Sequence, residues 1–526
     1  MAITTQPPLV SSDIQRLSRT WLPAGVALLA GVVFLATGLR HLAVVPQVYE
    51  DEPWQASTAY SLMSSGVFGS SLFAGFYNMD QRYYGFMPLH PLLLAGVFRV
   101  LGPGLAQARL ETVLLTLVSL GLTFALGARL LGAWVGALAV AVLVLVRWTG
   151  LTYVQLSGIP LVDFARIARY DPLVPVIGLT ALHVYLYARA RFSPWLYVAA
   201  GVLAGLSGLA HVYGLFWVPA LFLVALFDGR RRQAGWLLLG SALPWLPYAA
   251  YVLADLPDWR GQTAIYASRF ELFDPAWYLD NLAQEYHRYG PGLGPPGPGW
   301  LARPGFWLVL VVLPVALVAL ARRAVVECDA AARAVVVPAL LFPVLFAAFI
   351  KLKLVNYTLI ELPLFAIAVG WLVTLLWRRE AVRPVVAALG LAVLLEGGVS
   401  LLRLDTAAAT MTPYPTFISQ VRAYLPAGSR VIGLHSYWLG LEDVDYRSFL
   451  VPLNWADEGL PLDQGLSRVG PDVVLLDARM RDYLDQPQVR ADHDRFYGWL
   501  DQHAAQRIGR IDDPTYGLME VYRLQR

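Results

Sequence analysis

A run of carboxylates stands directly after the first long apolar stretch of the chain. Glu50, Asp51 and Glu52 follow the apolar residues 22–45 and precede Pro53. Neighbouring carboxylates repel one another and are costly in a low-dielectric environment, so their place at the end of a membrane span needs a reason. One interpretation is catalytic, with Asp51 as a general base and Glu52 orienting an acceptor or holding a metal ion. The other is structural, because Glu52 before a proline fits a helix N-cap; the two interpretations are compatible.

Two lysines follow a later apolar stretch, residues 334–350. Lysine serves as a point charge for phosphate, so Lys351 and Lys353 predict a phosphate site at the membrane surface, with Tyr357 nearby for substrate binding. The alternative is that both side chains extend to lipid head groups. We favour phosphate, and Lys353 as the principal ligand, because it leads into the next span. Residues two apart point to different sides of a helix, so we expect one lysine to matter far more.

Further charged residues sit among aromatic ones. Arg169 and Asp171 directly precede a proline, where the first interpretation is an ion pair, between themselves or with the carboxylates that follow the first span. The second is that Arg169 binds a donor phosphate and Asp171 a substrate. Arg82 admits the same phosphate role, and its neighbours Asp80 and Tyr83 admit a substrate-binding role. The interleaved aromatics suit either sugar stacking or a membrane-interface belt.

Composition places these residues in a membrane protein. Of the 526 residues, 57% are hydrophobic and only 15% are charged, against about 25% in soluble domains. A single cysteine, Cys328, excludes an internal disulfide and a thiolate metal cluster. The histidines lack ligand spacing, and a net charge of +3 is too small to indicate nucleic acid binding. The sequence therefore indicates no definite cofactor, and a divalent cation at Asp51 and Glu52 is left open.

Eleven apolar stretches have about the length of a membrane crossing. They are residues 22–45, 106–127, 131–147, 172–188, 195–211, 213–227, 234–254, 304–321, 334–350, 354–377 and 385–402. Arginines cluster in alternate loops, which the positive-inside rule assigns to the cytoplasm. This orientation predicts a cytoplasmic N-terminus at 1–20, a membrane domain at 21–404 and an outer side that carries most of the remaining chain.

The outer segments are expected to position the charged residues. Residues 46–105 form the first outer loop, with an amphipathic helix at 53–65 in the membrane interface and a short apolar helix at 88–101. Residues 255–303 hold a glycine- and proline-rich run at 290–299, which predicts a mobile lid. Residues 405–526 read as a small soluble α/β domain, with buried parallel strands at 429–434 and 471–477, a helix at 417–425 and a final strand at 518–524. The predicted fold class is thus mainly α, a polytopic helix bundle of about 11 spans with a small C-terminal extracytoplasmic α/β domain.

The order of these motifs resembles that of the C-type membrane glycosyltransferases, in particular the protein O-mannosyltransferase and aminoarabinose transferase group (glycosyltransferase family 39 and its bacterial relatives). The matching features cover about residues 20–400. They are the carboxylate pair, the in-plane helix after it, Arg82 through Leu92, Phe98 through Gly102, Arg109-Leu110, Arg169-Tyr170-Asp171, Gly205 through His211, and Lys353 through Tyr357 to Pro363. One departure concerns the acidic–basic pair that aminoarabinose transferases carry before the proline, because Phe86 and Met87 stand there. Nothing resembles the tryptophan-rich signature of oligosaccharyltransferase catalytic subunits.

The resemblance implies an enzyme of the outer membrane face. It implies transfer of a sugar, with inversion, from a polyprenyl-phosphate donor to a hydroxyl of a lipid, glycan or protein acceptor in a multi-pass protein of the cell membrane. By position, Asp51 matches the catalytic aspartate of the family and Glu52 its neighbour. The departure at Phe86 and Met87 shifts phosphate binding to Lys351, Lys353 or Arg82.

Two other classes of function compete with this interpretation. A transporter or flippase would need carboxylates along its spans, and Glu361 and Glu396 lie within them. A non-catalytic scaffold would use the outer α/β domain to bind a partner and would tolerate the loss of Asp51.

Overall fold

The computed structural model describes residues 10–147, 156–269, 271, 273–289 and 303–525. The predicted fold class is confirmed: an α-helical membrane bundle carries a small C-terminal domain built on one sheet. The glycine- and proline-rich run at 290–299 and residues 1–9 of the predicted tail lie outside the described residues.

Seven helices of the described chain are long and apolar enough to cross a membrane. The helices up to residue 289 are α1 Val10–Leu39, α2 Asp51–Ser65, α3 Leu89–Leu101, α4 Leu105–Leu131, α5 Ala133–Leu145, α6 Pro160–Ala165, α7 Leu173–Arg191, α8 Pro194–Ala210, α9 Trp217–Phe227, α10 Arg231–Ala242, α11 Trp245–Leu253, α12 Leu256–Thr263, α13 Pro275–Ala283 and α14 Tyr286–Tyr289. The remaining membrane helices are α15 Pro304–Trp307, α16 Leu313–Val326, α17 Ala330–Phe349, α18 Leu362–Trp377 and α19 Arg383–Thr410. Most predicted spans correspond to one of these helices, but 234–254 comprises α10 and α11, and 304–321 comprises α15, the π-helical turn Leu308–Val312 and the start of α16. Helix α19 continues beyond the predicted boundary at 404. The protein is a multi-pass membrane protein.

Small residues let two of these helices pack closely. A Cβ added at Gly201 of α8 would lie 2.1 Å from the carbonyl oxygen of Leu237 of α10, and one at Gly205 would lie 2.2 Å from that of Ser241. Such close backbone approach is typical of membrane helices with small residues at their interface. The contact fixes the end of α8, after which His211 and the short 3₁₀ helix Val212–Phe216 begin.

The C-terminal domain is a five-stranded mixed sheet in the order β2-β1-β3-β5-β4. Its strands are β1 Arg430–Gly433, β2 Asp445–Ser448, β3 Val473–Asp477, β4 Gln506–Asp513 and β5 Gly517–Arg523, and its helices are α20 Tyr414–Arg422, α21 Leu450–Asp457, α22 Leu462–Val469, α23 Ala478–Leu484 and α24 Arg490–Gln502. β1 pairs in parallel with β3, as predicted, with Val431 opposite Val473. β5 runs antiparallel to both of its neighbours. The sheet therefore has a parallel half and a hairpin half.

One apolar core joins this domain to residues 46–105, the predicted first outer loop. Phe73, Phe76 and Leu94 of the loop belong to the same buried cluster as Trp438 and Phe449 of the domain. The helix predicted at 53–65 is present as α2, but protein rather than lipid covers much of it, since Ala56 and Ala59 are fully buried and Tyr60 packs edge-on against Trp438. The sheet domain thus rests on the helix that opens with the carboxylate pair.

Candidate active site

Asp51 lies in the first turn of α2 and is held by an arginine from another part of the chain. Arg169, in the loop between α6 and α7, donates from Nη1 to Oδ2 of Asp51. The Asp51 side chain keeps 21% of its surface exposed, whereas that of Arg169 keeps 4%. Burial raises the pKa of Asp51 above its usual value, and the charge of Arg169 opposes that rise. The result is an oriented carboxylate that remains reachable.

Glu52 has a different environment, although it is the next residue. It forms a fully buried, bidentate ion pair with Arg109 of α4, with both N–H···O distances at 2.8 Å. Its Oε1 also accepts from the amide of Ala168 and its Oε2 from the amide of Tyr49, each at 2.8 Å. Each oxygen therefore already accepts two hydrogen bonds, the number that its lone pairs allow. Glu52 ties α2 to α4 and to the loop that carries Arg169.

Asp171 orients the arginine from the other side. Its Oδ2 accepts from Nε of Arg169 at 2.8 Å, and its Oδ1 accepts from the Tyr213 hydroxyl and the Asn356 amide, each at 2.9 Å. Arg169 also donates from Nη2 to the hydroxyl oxygen of Tyr170 at 2.8 Å. The ion pair expected from the sequence thus forms with both candidate partners, Asp171 and Asp51. Because Arg169 and Asp171 are buried and bonded to each other, their geometry supports positioning rather than contact with a substrate.

A cavity of about 440 Å³ opens beside this network. Tyr170 lines the cavity and stacks on His211, with the two ring centroids 4.3 Å apart. The guanidinium of Arg169 lies 4.9 Å from the ring centroid of Tyr170. Tyr357 lines it as well, as the sequence interpretation placed it. Other aromatic residues complete the wall, namely Tyr84, Phe86, Tyr248, Trp259 and Tyr266. This lining suits a ligand with both apolar and ring-shaped parts.

Two cations and no carboxylate are found among the described residues that line the cavity. One is Lys351, which is exposed. The other is Arg269, at the end of the 3₁₀ helix Ala264–Arg269, whose guanidinium lies 4.7 Å from the ring centroid of Tyr266. The sequence interpretation missed Arg269, although it breaks the positive-inside trend in an outer loop just as the lysines do. The pair makes this wall attractive to an anion.

Lys353 does not line the cavity. Its ammonium donates to Oε2 of Glu285 at 2.6 Å and to the carbonyl oxygen of Ile350 at 2.9 Å, and its side chain is only 7% exposed. The geometry therefore favours Lys351 over Lys353 as a phosphate ligand, and phosphate binding itself stays a prediction. One of the two lysines faces the cavity, as expected, but it is Lys351.

Three other candidates lie elsewhere. Arg82 is 42% exposed and pairs with Asp255 at 3.8 Å, and Asp80 accepts from the neighbouring Gln81. Tyr83 is buried in the core that the outer loop shares with the C-terminal domain. The geometry thus gives no support to phosphate binding by Arg82 or to substrate binding by Asp80 and Tyr83; the adjacent Tyr84 lines the cavity instead.

The carboxylate pair does not fit a shared metal ion. Glu52 has no lone pair to spare, and the described residues contain no group of three or more His, Cys, Asp or Glu side chains placed to hold a metal. The divalent cation considered from the sequence would have to bind through Asp51 with other ligands.

The fold is that of the GT-C glycosyltransferases. No protein-family model matches the sequence, and no curated protein matches it. Among solved structures, ArnT, the aminoarabinose transferase, from Cupriavidus metallidurans bound to undecaprenyl phosphate is similar over 95% of this chain and 97% of its own, with a TM-score of 0.61 and 15% identity. The archaeal oligosaccharyltransferase AglB from Archaeoglobus fulgidus, in complex with an inhibitory peptide and a dolichol-phosphate, is similar over 95% of this chain and 74% of its own, with a TM-score of 0.58 and 11% identity. Another structure of that oligosaccharyltransferase, in complex with Zn and sulfate, has a TM-score of 0.55 and 12% identity over 95% of this chain and 73% of its own.

Proposed function

We propose that this protein is a membrane glycosyltransferase that takes a sugar from a polyprenyl-phosphate donor on the extracytoplasmic face. The observation that carries the proposal is the cavity wall, in which Lys351 and Arg269 supply positive charge. Arg269 also lies near enough to Asp51 for its charge to lower the pKa of that carboxyl group. The two similar glycosyltransferases bound to undecaprenyl phosphate and to a dolichol-phosphate support a ligand of this class. The acceptor would be a hydroxyl of a lipid, glycan or protein.

The proposed reaction is a single displacement. The acceptor oxygen forms a bond to the anomeric carbon while the bond from that carbon to the phosphate oxygen breaks, which inverts the configuration. The proton of the acceptor hydroxyl passes to Asp51, and the polyprenyl phosphate leaves with the electron pair. Lys351 and Arg269 stabilise the charge that develops on the leaving phosphate. Arg169 acts through Asp51, which it orients, and Asp171 acts through Arg169.

The transporter alternative has a specific weakness in this structure. The carboxylate of Glu361, at the start of α18, accepts from the Tyr289 hydroxyl, which lies 3.0 Å from one of its oxygens and 3.1 Å from the other, and that of Glu396 pairs with Arg303. A third carboxylate, Glu111 in α4, was missed from the sequence and lies 3.4 Å from buried His90. Glu361 and Glu396 are thus engaged locally, whereas Lys351 and Arg269 line one open cavity.

A direct test is to extract the purified protein and identify bound lipids by mass spectrometry, then to supply a radiolabelled polyprenyl-phosphate sugar in liposomes. Transfer of label to a second molecule, with loss of that transfer in Asp51→Asn, supports the proposal. Movement of intact labelled lipid between leaflets without a new glycosidic bond would contradict the glycosyltransferase proposal and support the flippase alternative.

A further inference from the structure

The segment that carries Lys351 has no regular secondary structure of its own. It joins the end of α17 to the 3₁₀ helix Val355–Ile360, and residues 350–354 belong to no helix or strand. A lysine on an irregular segment is poorly oriented unless other groups hold the backbone. The contacts of residues 350–353 therefore decide where the Lys351 ammonium lies.

Two cations hold this backbone by its carbonyl oxygens. Arg288 donates from Nη2 to the carbonyl of Ile350 at 3.4 Å and from Nη1 to that of Leu352 at 3.2 Å. Lys353 donates to the same Ile350 carbonyl at 2.9 Å. The two carbonyls belong to the residues on either side of Lys351.

One carboxylate joins the two cations. Glu285 accepts from Nε of Arg288 at 2.6 Å through Oε1 and from Lys353 at 2.6 Å through Oε2. The arrangement is well buried, since the side chain of Arg288 is 0% exposed and that of Glu285 is 12% exposed. Buried ionic groups are costly unless each has partners, and here Glu285 is the partner of both cations.

The short helix α14, which carries Arg288, is itself held by contacts with the bundle. The guanidinium of Arg288 lies 4.4 Å from the ring centroid of Phe346, near the end of α17. The hydroxyl of the next residue, Tyr289, donates to Glu361 at 3.0 Å. The short helix α14 thus contacts the structure on both sides of the Lys351 segment.

We infer that Glu285, Arg288 and Lys353 form a clasp that positions Lys351 toward the phosphate of the donor, and so couples donor affinity to the docking of residues 285–289. The nature of the ligand rests on the proposed function. The clasp residues do not touch the donor; they act through the backbone of residues 350–352. Lys353, selected from the sequence as a phosphate ligand, becomes a positioning residue for its neighbour.

The test measures the affinity of undecaprenyl phosphate for the full chain in detergent, in four variants. Lys351→Ala removes the ligand itself, and Glu285→Gln removes the carboxylate of the clasp. Each is expected to weaken binding roughly tenfold or more, the size of one lost charged hydrogen bond. The double variant is expected to bind no more weakly than Lys351→Ala alone, because the clasp acts only through that lysine. Glu271→Gln, at an exposed acid of the same outer loop, is the matched control and is expected to bind normally.

The outcomes separate the two proposals. Unchanged affinity in Lys351→Ala overturns the phosphate site of the proposed function. Weakened affinity in Lys351→Ala with normal affinity in Glu285→Gln, or losses that add in the double variant, overturns the clasp alone. Lys353→Met provides a second variant if Glu285→Gln does not fold. Faster amide exchange over residues 350–354 in Glu285→Gln, with the exchange of α17 unchanged, supports the clasp without any ligand, and unchanged exchange there contradicts it.

Discussion

Asp51 and Glu52 are adjacent in the chain, yet each carboxylate is bound by a different arginine. Arg169 holds Asp51, which keeps part of its surface open, and Arg109 holds Glu52, which is fully buried. Successive residues of a helix point about 100° apart, so one turn can present a reactive carboxylate and anchor itself with the next. Asp51 is thus the candidate for chemistry, and Glu52 the residue that anchors the helix.

Asp51→Asn is expected to lower the rate of sugar transfer at least about 100-fold, because the amide cannot accept the proton of the acceptor. The change scarcely alters volume, so expression and thermal stability should stay close to those of the unmodified protein. Glu50→Gln is the matched control, since this carboxylate is the neighbour of Asp51 and is 57% exposed. Equal transfer rates in both variants would remove Asp51 from the mechanism.

Glu52→Gln should act on stability first. It leaves Arg109 buried without its counter-charge, and breaking such a pair costs about 3–5 kcal/mol. We expect a marked fall in the temperature of unfolding, measured in detergent by intrinsic fluorescence, whether or not divalent cations are present. A variant of normal stability whose activity depends on added metal would instead indicate a catalytic metal role for Glu52.

The helical membrane bundle could be predicted because it depends on composition over many residues. Apolar length alone located the long helices, and the β-rich runs at 429–434 and 471–477 located two parallel strands. The candidate site was harder to predict from the sequence, because nothing local distinguishes Lys351 from Lys353. The ion pair that holds Lys353 away from the cavity is formed with Glu285, which is 68 residues away in the chain. Packing of the C-terminal domain on α2 likewise depends on contacts between residues far apart in the chain.

The pH dependence of transfer should report the pKa of Asp51. Burial raises that pKa, and the positive charges of Arg169 and Arg269 lower it. A base works only when ionised, so the rate should fall as the pH drops through a pKa above the usual 3.8. Arg269→Gln removes one of the lowering charges and should move this acidic limb to higher pH.

Lys351→Gln is the control variant for the predicted shift of the acidic limb in Arg269→Gln. It removes the other cavity cation, which is not among the main influences on the pKa of Asp51. Donor affinity should fall in both variants, but the acidic limb should move only in Arg269→Gln. Equal shifts in the two variants would mean that a group other than Asp51 titrates.

The proposed phosphate site predicts that donor affinity depends on the positive charge of Lys351. Lys351→Ala should cost about 1.5–3 kcal/mol of donor binding, as charged hydrogen bonds do. Lys351→Arg should recover part of it, since the charge is kept while the shape of the head group changes. Isothermal titration with undecaprenyl phosphate measures both. Arginine and alanine variants with the same affinity would show that the charge at this position is not used.

The orientation in the membrane is the last prediction. Five predicted spans separate Gly229 from the C-terminal domain, and an odd number places the two on opposite sides of the bilayer. The arginines at 230–232 assign the Gly229 turn to the cytoplasm, so the sheet domain and the cavity beside α2 should face outward. Reporter fusions, phosphatase and fluorescent protein, at Gly229 and after Arg526 should give opposite readings. The same reading at both sites would mean that one of the five spans after Gly229 does not cross the membrane, with the shorter helix α18 as the first candidate, and the cavity would then have to be assigned anew to a face.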